Sequence, residues 1–285
     1  MSQRLKEWVN AAPDARQREL REAVHTVLVA VAEFRRAGLQ VVMKGGILLA
    51  VEYAGDRYTK DVDFSTSARV ADIAPERFET TLNAALAAAS EKLEYGLDCR
   101  VQSRELEPPG ADKTWPTLRL KVGYAPLNDA ARHGRLTRGQ APTVVAVEIS
   151  YNEVITASEI IAFGDGLEVE ASTLVDLVAE KYRAMIQQPV RNRYRRQDAY
   201  DLYGLLSEHG TRLADVRDAV REALLRKSEG RGLVVDRDAL RNPEVERRSK
   251  EEYPQLAAEI QRPLPPFDEV YGAVREYYEG MGWGG

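Results

Sequence analysis

Residues 44–64, with the sequence KGGILLAVEYAGDRYTKDVDF, constrain the fold of this chain more than any other stretch. The apolar run LQVVM just before them is rich in β-branched residues and predicts a short buried strand. Gly45 and Gly46 end that run, and ILLAVEYA then follows with helical spacing. A glycine turn between a strand and a helix leaves backbone N–H groups free at the helix N-terminus, which favours an anion and above all a phosphate.

The same stretch ends in a pair of aspartates on a predicted strand. In KDVDFS, Asp61 and Asp63 share one face of the strand, whereas Val62 and Phe64 point to the core. Neighbouring carboxylates repel each other unless a cation lies between them, and Mg²⁺ prefers such oxygen ligands together with substrate phosphates. Paired aspartates are also common on solvated strand edges and turns, but the preceding glycine turn and the apolar opposite face favour a metal site here.

Composition limits the classes of protein that fit. A chain of 285 residues that is 44% hydrophobic and 30% charged can bury a full core, in one large domain or two modest ones. We expect a cytoplasmic protein without membrane contact, because no run approaches a membrane span and the N-terminus lacks a signal-peptide core. The three histidines lack metal-ligand spacing, which argues against a zinc site, and Cys99 is predicted to be a buried, unreactive thiol.

The remaining pattern predicts a mixed sheet flanked by helices. Amphipathic helices are predicted at residues 14–37 and 74–90, and strands at residues 97–103, 117–124 and 143–150, joined by polar, turn-rich loops. From Ser172 onward nearly every segment has helical spacing, including QDAYDLYGLLSEHG, SKEEYPQLAAEI and FDEVYGAVREYYEG. We therefore predict an α+β fold with a domain at residues 1–170 and a helical domain at residues 171–285.

Two charged residues lie at positions where apolar residues are expected. Glu148 lies in the otherwise apolar strand TVVAVEIS, where it either faces water on an edge strand or joins Asp61 and Asp63 in a three-carboxylate metal site; we favour the metal site. Lys181 lies on or beside the apolar stripe of the helix that follows Ser172. A lysine there usually extends to water, and the alternative is a ligand for phosphate.

A basic run follows Lys181. The formal net charge of the chain is −5, which argues against a general nucleic-acid coating protein. Residues 181–197 nevertheless contain six basic residues and no acidic residue. This local positive charge either binds a polyanion, such as RNA or the triphosphate of a nucleotide, or belongs to a solvated loop. The arginines that we assign to RNA binding are Arg191, Arg193, Arg195 and Arg196.

Two aspartates begin the next helix. Asp198 and Asp201 are three residues apart and therefore share a face. Asp198 is a possible helix cap, and a favourable interaction with the helix dipole would account for Asp201 in the first turn. Farther along the chain, Tyr271, Tyr277 and Tyr278 are predicted to pack in a core and not to stack on bases.

Taken in order, these motifs resemble those of a known family. The order is KGG with ILL, the pattern Arg57-x-Thr59-x-Asp61-x-Asp63, the strand VEIS, the segment EKYRA and RRQDAYDLY. It is similar to that of the AbiEii toxin nucleotidyltransferases of the DNA polymerase β-like superfamily, which include mycobacterial toxins that act on tRNA. The resemblance covers residues 39–206 and implies a polymerase β-like nucleotidyltransferase core.

The resemblance implies roles for individual residues. Asp61 and Asp63 match the carboxylates that bind Mg²⁺ or Mn²⁺, and Glu148 is the least firmly matched ligand. Asp198 and Asp201 match an acidic helix motif, and the match leaves open which of them is catalytic. The residues that match nucleotide-binding positions are Lys44, Gly45, Gly46, Arg57, Thr59 and Lys181.

The implied function is that of a toxin. It would move NMP from an NTP to an RNA acceptor, with the tRNA 3′ end as the expected target, and so block translation; an antitoxin would be its protein partner. A nucleotidyltransferase of the same fold that modifies a small molecule such as an aminoglycoside, or a protein, is the nearer alternative. A non-catalytic nucleotide-binding or antitoxin-like protein is the more distant one.

Overall fold

The computed structural model describes residues 4–53, 55–110, 113–164 and 166–284. The chain divides into two compact units. The first, called here the sheet unit, comprises Met1–Val51, Lys60–Glu153 and Glu159–Ala171. The second, called the helical unit, comprises Glu52–Thr59, Val154–Ser158 and Ser172–Gly285.

The described residues of the chain form one seven-stranded mixed sheet. Its strands are β1 Val42–Lys44, β2 Asp61–Ser65, β3 Leu97–Glu107, β4 Thr117–Pro126, β5 Val144–Ser150, β6 Ser158–Gly164 and β7 Leu167–Ser172. Their order in the sheet is β3-β4-β5-β2-β1-β7-β6. Strand β2 runs parallel to β5 and antiparallel to β1, and β4 is antiparallel to both β3 and β5. The predicted α+β fold with a mixed sheet is confirmed.

The alternation of residues in β2 decides which of its side chains enter the core. Val62 and Phe64 are 0% exposed, whereas Asp61 and Asp63 are half-buried on the opposite face. The parallel partner β5 lies between β2 and β4 and is therefore an interior strand. The edge-strand alternative for Glu148 is thus wrong.

Six helices are described up to the fifth strand. They are α1 Arg4–Asn10, α2 Ala15–Val31, α3 Glu33–Arg36, α4 Gly45–Glu52, α5 Pro75–Leu93 and α6 Ala130–Thr137. Asp14 caps α2, because its carboxylate accepts a hydrogen bond from the Gln17 backbone N–H at 2.8 Å. The helix predicted at residues 14–37 is divided into α2 and α3. The predicted helix ILLAVEYA corresponds to α4, and its Ala54 lies outside the described residues.

Helices α2 and α5 pack together and against strands of the sheet. Phe78 of α5 is fully buried and makes edge contacts with Phe34 at 5.3 Å and with Tyr151 at 5.9 Å between ring centroids. Cys99 is 2% exposed, and burial raises the pKa of its thiol to about 12. The thiol is therefore buried and unreactive, as predicted.

One helix of the sheet unit was not anticipated. The spacer between β4 and β5 was predicted to be a loop, but it contains α6. Asp129 starts this helix by accepting a hydrogen bond from the Arg132 backbone N–H at 3.0 Å. Glycines and arginines with few apolar residues make the segment resemble a turn, and the local cap is the signal that would have identified it.

The helical unit contains six α-helices among its described residues. They are α7 Leu174–Ile186, α8 Gln188–Arg191, α9 Arg196–Asp215, α10 Arg217–Ser228, α11 Pro243–Lys250 and α12 Phe267–Glu279. Helix α7 contacts α9 and α10, and α9 contacts α12. The Tyr182 hydroxyl of α7 donates to the Val274 carbonyl of α12 at 2.9 Å. Tyr271, Tyr277 and Tyr278 are buried in this core, as predicted.

One predicted helix needs correction, and the structure refines the bounds of two other segments. Helix α9 is interrupted at His209, whose backbone angles are not helical, one residue before the predicted end at Gly210, and a further helical stretch then runs to Asp215. SKEEYPQLAAEI is not one amphipathic helix: α11 ends within it, and Tyr253–Ala258 forms a 3₁₀ helix. The extended piece FGDGLEVE belongs to the neighbouring strands β6 and β7, and its Asp165 lies outside the described residues. None of the helices within the described ranges combines the length and the apolar character that a membrane span requires.

Candidate active site

Gly45 brings the start of α4 against the carboxylate of Asp63. The residue follows directly on Lys44, the last residue of β1, and its φ of +75° lies in the left-handed region. A Cβ atom placed on Gly45 would lie 2.1 Å from Oδ2 of Asp63 and 2.9 Å from its Cβ. Both the backbone angle and the space therefore require glycine. The predicted order of strand, glycine and helix is present.

Charged side chains form a row across one face of the sheet. Residues that face each other on neighbouring strands have side chains on the same side of the sheet. The strand register therefore aligns five of them, from β1 to β3: Lys44, Asp63, Glu148, Arg119 and Glu105. Asp61 lies on the same face, two residues before Asp63.

Glu148 is paired with a cation inside this row. The Arg119 guanidinium donates from Nε to Glu148 Oε1 at 2.8 Å and from Nη1 to Glu107 Oε2 at 3.3 Å. The hydrogen bond and charge of Glu148 raise the pKa of Arg119. Arg119 was not among the predicted site residues. Its place between two buried leucines in TLRLKVGY was the available signal, since a charge there must point away from the core.

The donor set on β2 suits a divalent metal ion together with a triphosphate. Asp61 and Asp63 supply carboxylates on one face, and Mg²⁺ commonly binds through one or two carboxylates plus substrate phosphates. Within the described residues, however, no three histidine, cysteine, aspartate or glutamate side chains are arranged to hold a metal ion. The two aspartates thus fit the metal, while Glu148 as a third ligand stays a prediction and would have to leave Arg119.

In the helical unit, Lys181 lies at the centre of a buried ion cluster. Its side chain is 6% exposed, and Nζ donates to Asp201 Oδ2 at 2.7 Å and to Asp198 Oδ1 at 3.1 Å. The expectation that this lysine extends to water is therefore wrong. Arg57 adds a second cation, donating from Nε and Nη2 to the two oxygens of Asp201 at 3.0 and 3.2 Å. Thr59, two residues farther, is half-buried.

The charges of this cluster stabilise one another. Burial by itself would raise the pKa of Asp201, but Lys181 and Arg57 outweigh it and lower that pKa to about 2. Burial would likewise lower the pKa of Lys181, and Asp201 and Asp198 reverse this and raise it. Asp201, Lys181 and Arg57 are therefore all charged at neutral pH.

The two aspartates of α9 differ in how their oxygens are used. Both oxygens of Asp201 accept hydrogen bonds from Lys181 or Arg57. Oδ2 of Asp198 is buried and accepts no hydrogen bond within the described part of the chain; Arg195 Nη1 lies 3.9 Å from it. Buried unsatisfied oxygens are rare and often belong to functional sites. Asp201 therefore has the contacts of a structural residue, whereas Asp198 has one oxygen that the cluster does not use.

The predicted RNA-binding arginines run from the last residue of α8 to the first residue of α9 and differ in exposure. Arg191 and Arg193 are exposed, and Arg195 is half-buried. Arg196 is engaged by two glutamates, donating to Glu252 at 2.8 Å and to Glu259 at 3.0 Å. Their role in RNA binding stays a prediction, and the contacts of Arg196 indicate a structural part for that residue.

We expect Gly45→Ala to destabilise the protein more than Gly38→Ala. Both glycines have φ near +70°, so each substitution costs roughly 1 kcal/mol of backbone strain. Only Gly45 also faces Asp63, and the overlap reaches the Asp63 Cβ, so rotating the carboxylate does not relieve it; nothing lies within 4 Å of a Cβ on Gly38. Overpacking of this kind costs a further ~1–3 kcal/mol in the free energy of unfolding. Equal urea-unfolding midpoints for the two variants would contradict the close contact.

We expect Asp201→Asn to lower the free energy of unfolding by about 3–5 kcal/mol, because it leaves buried cations without their main counter-charge. Asp198→Asn serves as the matched control and should cost less, since Asp198 accepts one hydrogen bond in the cluster. Urea titrations of both variants at pH 7 test this. A larger loss in Asp198→Asn would reverse the assignment.

The pH dependence follows from the lowered pKa of Asp201. Its interactions are fully present above the ordinary pKa of 3.8 and are lost as the pH falls toward about 2. The linked stabilisation amounts to about 2 kcal/mol. The stability difference between the wild type and Asp201→Asn should therefore narrow by this amount between pH 5 and pH 2, as measured by urea titration. A constant difference would show that the carboxylate is not held by the two cations.

Comparison with known proteins assigns the chain to a family. The family model for the nucleotidyl transferase AbiEii toxin of type IV toxin–antitoxin systems matches residues 26–273. No curated relative matches the sequence. Among solved structures, MenT4, a nucleotidyltransferase toxin from Mycobacterium tuberculosis H37Rv, is similar, with 17% identity and a TM-score of 0.55 over 96% of this chain and 88% of that one.

Two Helicobacter pylori structures also match. One is described as a nucleotidyltransferase, with 10% identity and a TM-score of 0.48 over 93% of this chain and 96% of that one. The other is JHP933, with 12% identity and a TM-score of 0.46 over 90% of this chain and 89% of that one. The family match covers most of the sequence, and the MenT4 match supports the same fold. The chain belongs to the nucleotidyl transferase AbiEii toxin family of type IV toxin–antitoxin systems.

Proposed function

We propose that this nucleotidyltransferase moves NMP from an NTP to the 3′-hydroxyl of an RNA, with tRNA as the acceptor and Mg²⁺ or Mn²⁺ as the metal ion. The observation that supports RNA as the acceptor is the arginine segment, residues 191–196, which lies shortly before Asp198. Arg191 and Arg193 are exposed, and Arg195 reaches within 3.9 Å of Asp198. Exposed arginines suit the phosphates of a polyanion.

Residues of the sheet unit are assigned to the triphosphate. The backbone N–H groups at the start of α4 suit phosphate oxygens, and Gly45 lets that backbone approach Asp63. Lys44 adds positive charge in the same row. Asp61 and Asp63 would hold the metal ion, which when bound neutralises charge that develops on the transferred phosphoryl group.

Residues of the helical unit are assigned to charge and proton handling. Lys181 and Arg57 supply two cations for the nucleotide phosphates, and Asp201 holds both in position. The attacking hydroxyl oxygen forms a bond to the α-phosphorus, the bond from that phosphorus to the bridging oxygen breaks, and pyrophosphate leaves. Asp198, with its free Oδ2, is the candidate to accept the hydroxyl proton.

The basic segment also weighs against a small cationic acceptor. An aminoglycoside carries positive charge and would be repelled by Arg191 and Arg193, whereas RNA would be attracted. A toxin of this family is expected to have an antitoxin as its protein partner, and blocked translation is the expected outcome of tRNA modification.

Transfer is tested by incubating the protein with each labelled NTP, Mg²⁺ and total tRNA. We expect label in RNA with at least one nucleotide and none with Asp61→Ala. No label above the Asp61→Ala level with any nucleotide would reject RNA as the acceptor. Label in an aminoglycoside or in protein under the same conditions would support the alternative.

Lys181→Met should lower the rate of this transfer about 100-fold or more, because it removes a cation assigned to the phosphates. Lys227→Met is a matched control from the same unit. Lys227 is equally buried and paired, at 3.0 Å from Asp176, but none of its contacts involves the Lys181 cluster. Both variants lose stability, so activity is measured at a temperature where circular dichroism shows that each is folded. Full activity in Lys181→Met, or equal loss in both, would contradict the assignment.

Arg119→Gln tests whether Glu148 is a metal ligand. If Glu148 binds the ion, removing its competing cation should tighten Mn²⁺ binding up to about fivefold, the scale of a half-exposed ion pair. The measurement is the paramagnetic resonance signal of free Mn²⁺ in the presence of a non-hydrolysable nucleotide. Arg100→Gln, which breaks an exposed pair with Asp98, is the control. Unchanged Mn²⁺ affinity in Arg119→Gln would leave Asp61 and Asp63 as the metal-binding carboxylates.

A further inference from the structure

Tyr194 presents its ring to solvent in the middle of the arginine segment. Its side chain is 47% exposed, whereas Tyr182, Tyr271 and Tyr278 of the same unit are at most 2% exposed. Tyrosine is usually at least half-buried when it serves only packing, and an exposed ring on a loop suits recognition.

The loop that carries Tyr194 is held in one shape by a buried arginine. Arg248 of α11 is 9% exposed and donates from Nη2 to Asn192 Oδ1 at 2.9 Å and from Nη1 to the Arg193 carbonyl at 3.4 Å. Its Nε donates to Glu244 at 2.6 Å. Asn192 ends α8 in the left-handed conformation, with φ of 49°. These bonds fix the turn just before Tyr194.

The same arginine supports the ring. The guanidinium carbon of Arg248 lies 5.3 Å from the Tyr194 ring centroid, within the range of a cation–π contact. A ring fixed in this way loses little conformational entropy when a second flat group stacks on it. The contact therefore prepares Tyr194 to act as a stacking surface.

The charges beside the ring suit a nucleic-acid strand. Arg191 and Arg193, on either side of the turn, are exposed, and Arg195 follows Tyr194 directly and lies 3.9 Å from Asp198. Proteins that bind unpaired RNA combine such cations for the phosphates with aromatic rings for the bases. Exposed tyrosine and arginine also occur in protein interfaces, but four arginines within three residues of Tyr194 in the sequence favour a polyanion.

We propose that Tyr194 stacks on an unpaired base of the acceptor strand, while Arg191 and Arg193 contact the phosphates on either side of that base. The inference rests on the proposed function and specifies it: the acceptor is recognised by an unpaired end, through a base that is not the reacting nucleotide. Stacking tolerates every base, so the contact adds affinity with little sequence preference.

The test is binding of a fluorescein-labelled, unpaired RNA of about ten nucleotides, measured by anisotropy without NTP. Tyr194→Ala should weaken binding about 5- to 150-fold, the loss for one stacked base, while Tyr194→Phe should stay within about twofold of the wild type. Tyr203→Ala is the matched control, a tyrosine of the same unit whose hydroxyl bonds Glu269 at 2.6 Å, and should bind RNA normally. Circular dichroism verifies that each variant is folded.

A second RNA series separates stacking from charge. RNAs with one abasic site at successive positions should bind wild type more weakly at one position, and Tyr194→Ala should be insensitive to that position. Equal affinity of Tyr194→Ala and wild type, with RNA labelling intact, would overturn the stacking role and leave the proposed function standing. Unchanged RNA affinity together with lost antitoxin binding in Tyr194→Ala would overturn it in favour of a protein contact. Absence of both RNA binding and RNA labelling in the wild type would instead reject the proposed function itself.

Discussion

The contact of Lys181 with two aspartates is the interaction on which the helical unit most depends. A buried ammonium ion is costly unless carboxylates surround it, and Asp198 and Asp201 come from the next long helix, at 3.1 and 2.7 Å. Arg57, from a segment more than a hundred residues earlier, completes the pairing of Asp201. The cluster joins α7, α9 and that early segment through charge, while Tyr182 and its aromatic neighbours join α7 to α12 through packing.

In the sheet unit, the main electrostatic feature is a group of adjacent carboxylates on the polar face of the sheet. Its polar face places two aspartates on one strand and a glutamate beside one of them, a repulsive arrangement on its own. Lys44 and Arg119 flank these acids on the neighbouring strands, so that opposite charges alternate along most of the row. The row is open to solvent on its β3 side, where Glu105 is exposed. The balance of charge across five strands, and not a single pair, keeps the face compatible with a folded sheet.

The sequence predicted the features that depend on neighbouring residues, and most of the features that it did not predict depend on contacts between distant residues. Strand alternation predicted that Asp61 and Asp63 share one face of β2, because the alternation depends only on neighbouring residues. The buried state of Lys181 and the pairing of Glu148 with Arg119 could not be read locally, since their partners are 17 to 29 residues away. The missed helix α6 shows that a polar, glycine-containing segment is not always a loop. The difference between Asp198 and Asp201 could not be predicted either, because it depends on the hydrogen bonds of individual oxygen atoms.

Two short segments, Glu52–Thr59 and Val154–Ser158, belong to the helical unit. The residues before and after each of them belong to the sheet unit. The chain thus passes from one unit to the other five times. A fragment beginning at Ser172 would lack Arg57 and leave Asp201 with one cation fewer. Neither unit therefore corresponds to one continuous piece of the gene. A recombination point near the middle of the coding sequence would therefore separate parts of both units at once.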